Sequence, residues 1–217
     1  MNVSDAVAAR RSIRSFLDTP VSDDVIRELL AKSARAPSGG NVQPWQIQVI
    51  NGARMQDFLS HLSDHQSRET PAYDIYPKDL PSPYRDSRFK VGEDMYGLLG
   101  IPREDKAARF AHLARNFEFF GAPAAFFCLI DENMGPPQWS DLGMFLQTFM
   151  LLAQEAGIDT CAQEAWATRP KAVTSFLQTP DNLMLFCGMA IGFKNPSAPV
   201  NTLVSDRMPL DSWATWA

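Results

Sequence analysis

The chain has 217 residues, of which 45% are hydrophobic and 21% are charged, and its formal net charge is −5. This length and composition are typical of a single globular domain, residues 1–217, with one sizeable core. The negative charge argues against nucleic acid or an anionic membrane as a general partner, although it does not exclude a local site for an anion.

The compartment is predicted from the N-terminus and the cysteines. The first residues, MNVSDAVAARRSIRSF, lack the apolar core of a signal peptide, and no apolar run approaches the roughly 18 residues of a membrane span. Cys128, Cys161 and Cys187 lie in apolar contexts, and their odd number and wide spacing suit neither a disulfide framework nor a zinc site. We expect a cytoplasmic protein with buried, reduced thiols.

Hydrophobic periodicity and capping residues predict the elements in chain order. Ser4 and Ser22 are the expected N-caps of the first two helices. Helices are expected over residues 5–10, 23–36, 87–99, 104–120, 139–156 and 170–177, and for about a dozen residues from Arg54. Strands are expected over residues 45–50, 124–130, 158–163 and 184–193. The helix 139–156 is apolar on nearly every side, which is typical of a central helix or of one in a subunit interface.

Two segments are irregular. The first, at about 67–103, begins with four prolines and three tyrosines between residues 70 and 84, too much proline for a regular element and too many aromatic residues for a disordered linker. Within it, residues 73–99 are a candidate lid; a packed surface excursion is the alternative. The second is the tail, residues 194–217, where Trp213 and Trp216 follow no period. We expect the tail to lie on a surface, for which a partner subunit is one candidate.

Few residues are candidates for metal binding or for acid–base and nucleophilic catalysis. His61 and His65 share a helix face, but Ser63 stands where a zinc-protease helix carries glutamate, so two solvated histidines and no metal site are expected. The chain contains no G-x-G-x-x-G fingerprint, no P-loop and no G-x-S-x-G motif.

The remaining signal is a set of anion-binding residue types. Arg10, Arg11, Ser12 and Arg14 cluster in RRSIRSF, and Arg207 lies in the tail. Arginine offers a fork of donors suited to phosphate, although a solvated basic turn is the alternative for the N-terminal cluster. The loop RAPSGGNVQPW is richer in polar and glycine residues than a simple turn requires. Together they indicate an anion-bearing cofactor.

Four motifs in order, RRSIRSF, APSGGNVQPW, GIDTCAQEAW and AIGF followed by Arg207-Met208-Pro209, resemble the nitroreductase family of FMN enzymes over essentially the whole chain. The stretch YGLLGIPREDKAARFAHLARNFEFFGAP is similar to the branch that contains nitrobenzoate reductases. The resemblance implies an α+β fold with a central mixed, mostly antiparallel sheet flanked by helices, and a domain-swapped C-terminal extension. It also implies a homodimer with FMN at the subunit interface.

The resemblance implies the roles of individual residues as well. Arg10 is expected toward the phosphate and ribityl chain and Arg14 near the pyrimidine edge. The positions that the family pattern gives to the cofactor site are Arg10, Arg11, Ser12, Arg14, Pro37, Ser38, Gly39, Asn41, Glu164, Ala165, Ser205 and Arg207. Residues 37–41 correspond to the loop that the other subunit lays against the flavin, and Glu164 and Ala165 act through their backbone N–H groups. Many relatives have lysine in place of Ser205 and glycine in place of Ala165.

The activity implied is a ping-pong reduction of nitroaromatic compounds by NADPH or NADH in two-electron steps, with no catalytic side chain because the flavin carries the chemistry. Alternatives on the same fold are a dehalogenase, an enone or azoline oxidoreductase, a flavin-fragmenting enzyme, or a non-catalytic flavin-binding protein. Arg85 and Arg88 are candidates for attracting a substrate carboxylate, against the alternative of ordinary surface arginines. The sequence decides neither the nucleotide nor the physiological acceptor.

Overall fold

The computed structural model describes residues 1–217, and its centre is a four-stranded sheet. The strands are β1 (Gln46–Asn51), β2 (Ala124–Asp131), β3 (Asp159–Gln163) and β4 (Leu183–Gly192). They lie in the order β1-β2-β4-β3, and every pair of neighbours is antiparallel. A mixed, mostly antiparallel sheet was predicted, and its parallel component is a single bridge between Ser12 and Thr160.

Seven α-helices surround this sheet, which confirms the predicted α+β class. They are α1 (Val3–Ala9), α2 (Asp23–Ser33), α3 (Ala53–Asp64), α4 (Tyr84–Leu98), α5 (Lys106–Ala114), α6 (Pro136–Glu155) and α7 (Pro170–Leu177). The sheet has an apolar cluster on each face, one centred on Phe58 and Trp166 and the other on Phe126 and Phe149 of β2 and α6. Strand β2 is therefore apolar without alternation, because side chains on both of its faces are buried.

Several helix boundaries differ from the prediction, among them the end of α2 at Ser33 and the start of α4 at Tyr84, and three of the differences have local reasons. Helix α1 is capped by Asn2, whose side chain accepts a hydrogen bond from Asp5 N, and not by Ser4. Helix α6 begins earlier than expected, at Pro136, since proline suits the first helical position. The helix predicted over 104–120 ends at Ala114 and continues as a 3-10 turn, in which Phe119 and Phe120 adopt left-handed backbone angles that place both rings in the core.

Histidines 61 and 65 also differ from the prediction. Their rings stack at 3.9 Å, and His61 is half-buried, with its Nε2 donating to the backbone oxygen of Ala172 at 3.0 Å. The expectation of two solvated histidines is wrong for His61, because that ring packs α3 against α7. The three cysteines are free and buried, as predicted.

The first irregular segment is tied to the domain at its start and free of the core afterwards. Glu69 accepts hydrogen bonds from the backbone amides of Lys171 and Ala172 at the beginning of α7 and pairs with Arg169. Tyr73 donates from its hydroxyl to the backbone oxygen of Phe186. Helix α4, which follows, has no buried residue. Whether the segment closes over a ligand stays a prediction.

The tail returns to the N-terminal segment before it becomes exposed. Asn201 accepts a hydrogen bond from Arg14 N at 2.9 Å and donates to the backbone oxygen of Ser15 at 2.8 Å. Beyond it, Val204, Trp213 and Trp216 are 63%, 65% and 79% exposed. No helix of the structure combines the length and apolar character that crossing a membrane requires.

Candidate active site

A cavity of about 480 Å³ lies between the N-terminal arginine cluster and the tail. Its wall contains four arginines and no carboxylate. The lining residues are Val7, Arg10, Arg11, Ser12, Arg14, Val91, Gln147, Leu203, Val204, Ser205 and Arg207. The cavity therefore joins the two arginine groups that the sequence singled out, and we call it the arginine cavity.

The N-terminal side of the arginine cavity is fixed to the edge of the sheet. Ile13 is buried and donates from its backbone N–H to the oxygen of Thr160 at 3.0 Å, while Ser12 bridges to the same residue of β3. Successive side chains of an extended segment alternate between its two sides, so burial of Ile13 places its neighbours Ser12 and Arg14 on the opposite side. The chain thus presents polar groups to the cavity while the apolar side chain holds the segment in place.

The tail side is fixed through Asn201, which joins the tail to the backbone of Arg14 and Ser15. From there, Arg207 reaches the same cavity as Arg10. Its guanidinium donates to the side chain of Ser205 at 2.8 Å and to backbone oxygens of the tail. The Ser205–Arg207 pair that was expected to bind phosphate is therefore already assembled.

The arginine cavity has a positive charge that nothing in the chain neutralises. None of its four arginines forms an ion pair with a carboxylate, and the Arg10 guanidinium makes no hydrogen bond within the chain. Partial burial lowers the pKa of Arg10, and the nearby charges of Arg207 and Arg11 lower it further. Because four arginines line the cavity and no carboxylate does, an anion bound there would gain favourable electrostatic contacts with the arginines.

The glycine-rich loop lies elsewhere in the chain. Residues 37–41 run past the N-terminal half of α6, where Gly39 N donates to the carboxylate of Asp141 at 3.2 Å. Gly40 and Asn41 both have a φ of 58°, the left-handed region. Pro37, Gly39, Gly40 and Asn41 are exposed and Ser38 is half-buried. The loop does not line the arginine cavity of its own chain.

The turn that carries Glu164 and Ala165 follows β3 directly. It is a 3-10 turn, Glu164–Thr168, anchored by the fully buried Trp166. The Trp166 ring packs against β4 at Gly188, where an added Cβ would meet its Cδ1 at 2.3 Å. The Glu164 side chain points outward, and partial burial raises the pKa of its carboxyl group.

The twelve predicted site residues thus fall into three groups in one chain. Six line the arginine cavity, namely Arg10, Arg11, Ser12, Arg14, Ser205 and Arg207. Pro37, Ser38, Gly39 and Asn41 form the exposed loop, and Glu164 and Ala165 begin the turn after β3. Both the turn and the cavity adjoin β3, because Ser12 bridges to Thr160 of the same strand.

Sequence reasoning missed two polar residues of α6. Gln147 lines the arginine cavity, and Asp141 holds the glycine-rich loop. Each interrupts an otherwise apolar helix, and that interruption was the available signal. Val7, Val91, Leu203 and Val204 also line the cavity, but as ordinary apolar residues they give no signal in the sequence.

A second groove, of about 510 Å³, adjoins the arginine cavity and shares Val91, Ser205 and Arg207 with it. Tyr76 and Tyr84 line it, and the Arg88 guanidinium lies 4.1 Å from the centre of the Tyr76 ring. Arg88 has no carboxylate partner, whereas Arg85 lies outside the groove and pairs with Asp86 at 3.3 Å. The two candidate arginines of the irregular segment therefore differ in environment.

Comparison with known proteins identifies the family to which this fold belongs. The sequence model of the nitroreductase family matches residues 7–193. A 4-nitrobenzoate reductase of Pseudomonas putida is 39% identical over 204 residues, which cover 94% of this chain and 88% of that protein. A nitrobenzene nitroreductase of Ectopseudomonas oleovorans is 33% identical, with 99% of this chain and 96% of that protein covered.

Solved structures agree. The crystal structure of the FMN and NADPH-dependent nitroreductase NfnB of Sphingopyxis sp. strain HMH superposes with a TM-score of 0.96 at 43% identity, covering 100% of this chain and 99% of that one. The chain belongs to the nitroreductase family. The predicted family and fold are confirmed.

Proposed function

We propose that the protein is a homodimeric, FMN-dependent oxidoreductase that uses NADPH or NADH to reduce nitroaromatic compounds. The proposal rests on the arginine cavity of this member of the nitroreductase family. Four arginines and two serines line the cavity, and no carboxylate does. The relatives at 39% and 33% identity reduce 4-nitrobenzoate and nitrobenzene, as their names state.

The residues of the arginine cavity fit the phosphate end of FMN. A phosphate dianion has several acceptor oxygens, and guanidinium groups bind such oxygens through paired donors. The Arg10 guanidinium makes no hydrogen bond within the chain, and that of Arg207 donates only to residues of the tail. The hydroxyls of Ser12 and Ser205 add two more polar groups to the cavity. Arg14 supplies positive charge on the side of the cavity next to β3.

The glycine-rich loop supports a dimeric site. It is largely exposed, hydrogen-bonded to α6 through Gly39 and absent from the arginine cavity of its own chain. A second subunit that brings its loop to this cavity would complete the set of twelve residues. The apolar side chains exposed along the tail, Val204, Trp213 and Trp216 among them, provide surface for such a partner. In this arrangement the tail, residues 194–217, extends onto the partner subunit.

When bound, FMN would supply the redox chemistry, namely two-electron transfer between the nicotinamide nucleotide and the acceptor. The protein's own residues bind and orient. Arg14 favours negative charge in its neighbourhood, and the backbone of Glu164 and Ala165 offers N–H groups on a turn that Trp166 holds rigid. No side chain near the cavity forms a nucleophile–base pair, and the proposal requires none.

The second groove supports an aromatic acceptor that carries a carboxylate. Tyr84 provides a face for a flat ring, and Arg88, which lies over the Tyr76 ring and has no carboxylate partner, provides the cation. Arg85 already has a carboxylate neighbour and lies outside the groove. We therefore assign substrate attraction to Arg88 and not to Arg85.

Arg88→Gln is expected to raise the KM for 4-nitrobenzoate roughly fivefold, since an exposed ion pair contributes up to about 1 kcal/mol. The KM for nitrobenzene, which has no carboxylate, should stay the same. Arg85→Gln is the matched control and should change neither constant. A loss that is equal for both acceptors, or equal for both variants, would contradict the assignment to Arg88.

We also infer that the protein works in the cytoplasm. Its three cysteines are free and buried, and Cys128 and Cys187 lie directly opposite each other on β2 and β4 without forming a disulfide. Free thiols in register across two strands suit a reducing compartment.

One anaerobic titration tests the proposed function. The purified protein should be yellow, lose its flavin absorbance when NADPH or NADH is added, and regain it when 4-nitrobenzoate is added. Bleaching without recovery by any nitroaromatic would indicate other flavin chemistry, such as that of a dehalogenase or an enone oxidoreductase. A flavin that no nucleotide reduces would indicate a binding protein, and failure to take up FMN would refute the proposal altogether.

A further inference from the structure

Helix α6 contains one buried carboxylate, that of Asp141. The residue is 4% exposed and forms no ion pair, although it lies among the apolar side chains of Leu142 and Phe145. Both carboxylate oxygens accept from a single donor, Gly39 N, at 3.2 and 3.3 Å. Burying a carboxylate without a cation is unfavourable, and the hydrogen bond from Gly39 N offsets part of that free-energy cost.

The loop on the other side of that hydrogen bond has a demanding backbone. Gly40, Asn41 and Gln43 have φ values of 58°, 58° and 51°, a region that costs most residues about 1 kcal/mol or more. Inside the loop, Ser38 Oγ accepts from Gln43 N at 3.0 Å. These internal bonds set the shape of the loop, but they do not fix it to the rest of the domain.

Two contacts fix the loop to α6. At its end, the Trp45 ring stacks on Phe145, with ring centres 4.9 Å apart. At its start, Asp141 holds Gly39. Asp141 and Phe145 are four residues apart on one face of α6, so a single helix face anchors both ends of the loop. The side chain of an Ala at position 39 would still clear Asp141, because the added Cβ would lie 4.0 Å from its Oδ2.

We propose that Asp141 is a positioning residue for the cofactor. Its carboxylate holds the Gly39 amide, and the loop then presents Ser38 and Asn41 in one conformation before the cofactor binds. Preorganisation of this kind raises affinity because the ordering cost is met in the free protein. The inference rests on the proposed function, since it assigns residues 37–41 to the flavin.

Substitutions at Asp141 that differ in reach and in hydrogen-bonding capacity test the proposal. Asp141→Asn keeps a carbonyl oxygen at the same distance, so the Kd for FMN should stay within about threefold of the wild type. Asp141→Ala and Asp141→Ser lose the contact, and the Kd should rise about tenfold or more, the loss expected for one hydrogen bond to a charged group. The Kd is measured by quenching of flavin fluorescence.

Asp131→Ala is the matched control. Asp131 is a partly buried carboxylate that also accepts from a backbone amide, that of Asn133, but its hydrogen bonds go only to Asn133 and Asn182 and not to the loop. This variant should lose stability without losing FMN affinity. If Asp141→Ala does not fold, Asp141→Ser and Asp141→Asn still give the comparison. An unchanged Kd in the serine variant, or equal losses in the serine and asparagine variants, would overturn the proposal.

Hydrogen exchange separates this proposal from the proposed function. In the protein without FMN, the amides of residues 38–43 should exchange faster in Asp141→Ser than in the wild type and in Asp141→Asn. If the wild type binds no FMN, the proposed function fails, whereas the exchange rates still show whether Asp141 holds the loop. Equal exchange in all three proteins would overturn the role of Asp141, whatever the protein binds.

Discussion

The arginines of the cavity differ in what each one contacts within the chain. Arg11 donates to backbone oxygens of α1 and Arg14 donates to the backbone of Ser12, so both contribute to local structure. Arg207 is exposed, and its bonds are confined to the tail residues Ser205 and Asp206. Its removal therefore affects the ligand more than the fold.

Arg207→Ala is expected to raise the Kd for FMN by roughly 10- to 100-fold, the equivalent of about 1.5–3 kcal/mol for a hydrogen bond to a charged group. The melting temperature of the protein without FMN should hardly change, because the side chain is exposed. Flavin fluorescence and differential scanning fluorimetry measure the two quantities. Arg27→Ala, which removes an exposed arginine from α2, is the control. Unchanged flavin occupancy in Arg207→Ala would refute the role of Arg207.

A second residue, His112, is expected to make the stability of the fold depend on pH. It is 7% exposed, its Nε2 has no hydrogen-bond partner, and it lies against the Tyr96 and Phe120 rings. Burial lowers the pKa of His112, and the charges of Arg115 and Arg14 lower it further. The folded protein therefore keeps this imidazole neutral at pH values where the unfolded chain protonates it.

The sign of the pH effect follows from that difference. Below the unfolded pKa, near 6.5, the unfolded state binds a proton that the folded state does not, so the free energy of unfolding decreases as the pH falls. The decrease between pH 7.5 and pH 5.5, measured by urea unfolding, should be smaller in His112→Phe than in the wild type. Identical decreases in the two proteins would show that His112 titrates alike in both states.

At the scale of elements, the turn after β3 depends on a glycine in the neighbouring strand. Trp166 fills the space above Gly188 and is surrounded by the rings of Phe58, Phe119 and Phe127. Strand β4 is extended at Gly188, so glycine is needed there for space and not for its backbone freedom. The position of Glu164 and Ala165, just before Trp166, follows from this contact.

Gly188→Ala is expected to destabilise the protein by about 3 kcal/mol, because the new Cβ would overlap the Trp166 ring in a close-packed core. The displaced ring should also move the turn 164–168 and weaken FMN binding in the protein that remains folded. Gly92→Ala is the matched control. Gly92 lies within α4, where no atom approaches the added Cβ within 4 Å, so alanine should raise the free energy of unfolding by up to about 1 kcal/mol through its higher helix propensity. Urea unfolding distinguishes the two; equal stability changes would contradict the steric account.

The elements also show what local sequence information determines. All four strands and most helix ranges were predicted, because hydrophobic period and capping residues act over a few neighbouring positions. The end of α5 at Ala114 was not, because the turn that buries Phe119 and Phe120 is stabilised by the core and not by its own sequence. The roles of Asp141 and Gly188 were missed for the same reason, because their partners are distant in the sequence. Asp141 binds Gly39, 102 residues away, and Gly188 packs against Trp166 in the turn after β3.

The site required a different kind of information. The arginine groups were found because several arginines cluster with a serine in a few residues and their forked donors suit phosphate, and the motif order identified the family. That Arg10 and Arg207 share one cavity was implied by the family resemblance; within the chain, it depends on Asn201, whose hydrogen bonds join two segments 186 residues apart. No periodic pattern encodes such a contact.

At the scale of the whole molecule, the sheet order separates the two edges. Strand β1 is one edge, and β3, to which the N-terminal arginine segment is bridged, is the other. The tail leaves the domain beside that second edge and exposes a series of apolar side chains, with Trp216 at 79% and Trp213 at 65%. Exposed tryptophans of this kind are typical of a surface that a partner covers.

Replacing Trp213 and Trp216 together by serine is therefore expected to weaken the proposed dimer and, with it, FMN binding, since in that dimer the partner's loop is proposed to complete the site. Analytical ultracentrifugation at micromolar concentration should give twice the chain mass of 24.2 kDa for the wild type and a shift toward one chain mass for the double variant. Buried aromatic anchors contribute about 2 kcal/mol or more each at interfaces, so the dissociation constant should rise at least 100-fold. Val49→Ser, an exposed apolar residue on the opposite edge strand, is the control and should stay dimeric. A double variant that remains dimeric and binds FMN normally would remove the tail from the interface and leave the arginine cavity to be completed by another surface.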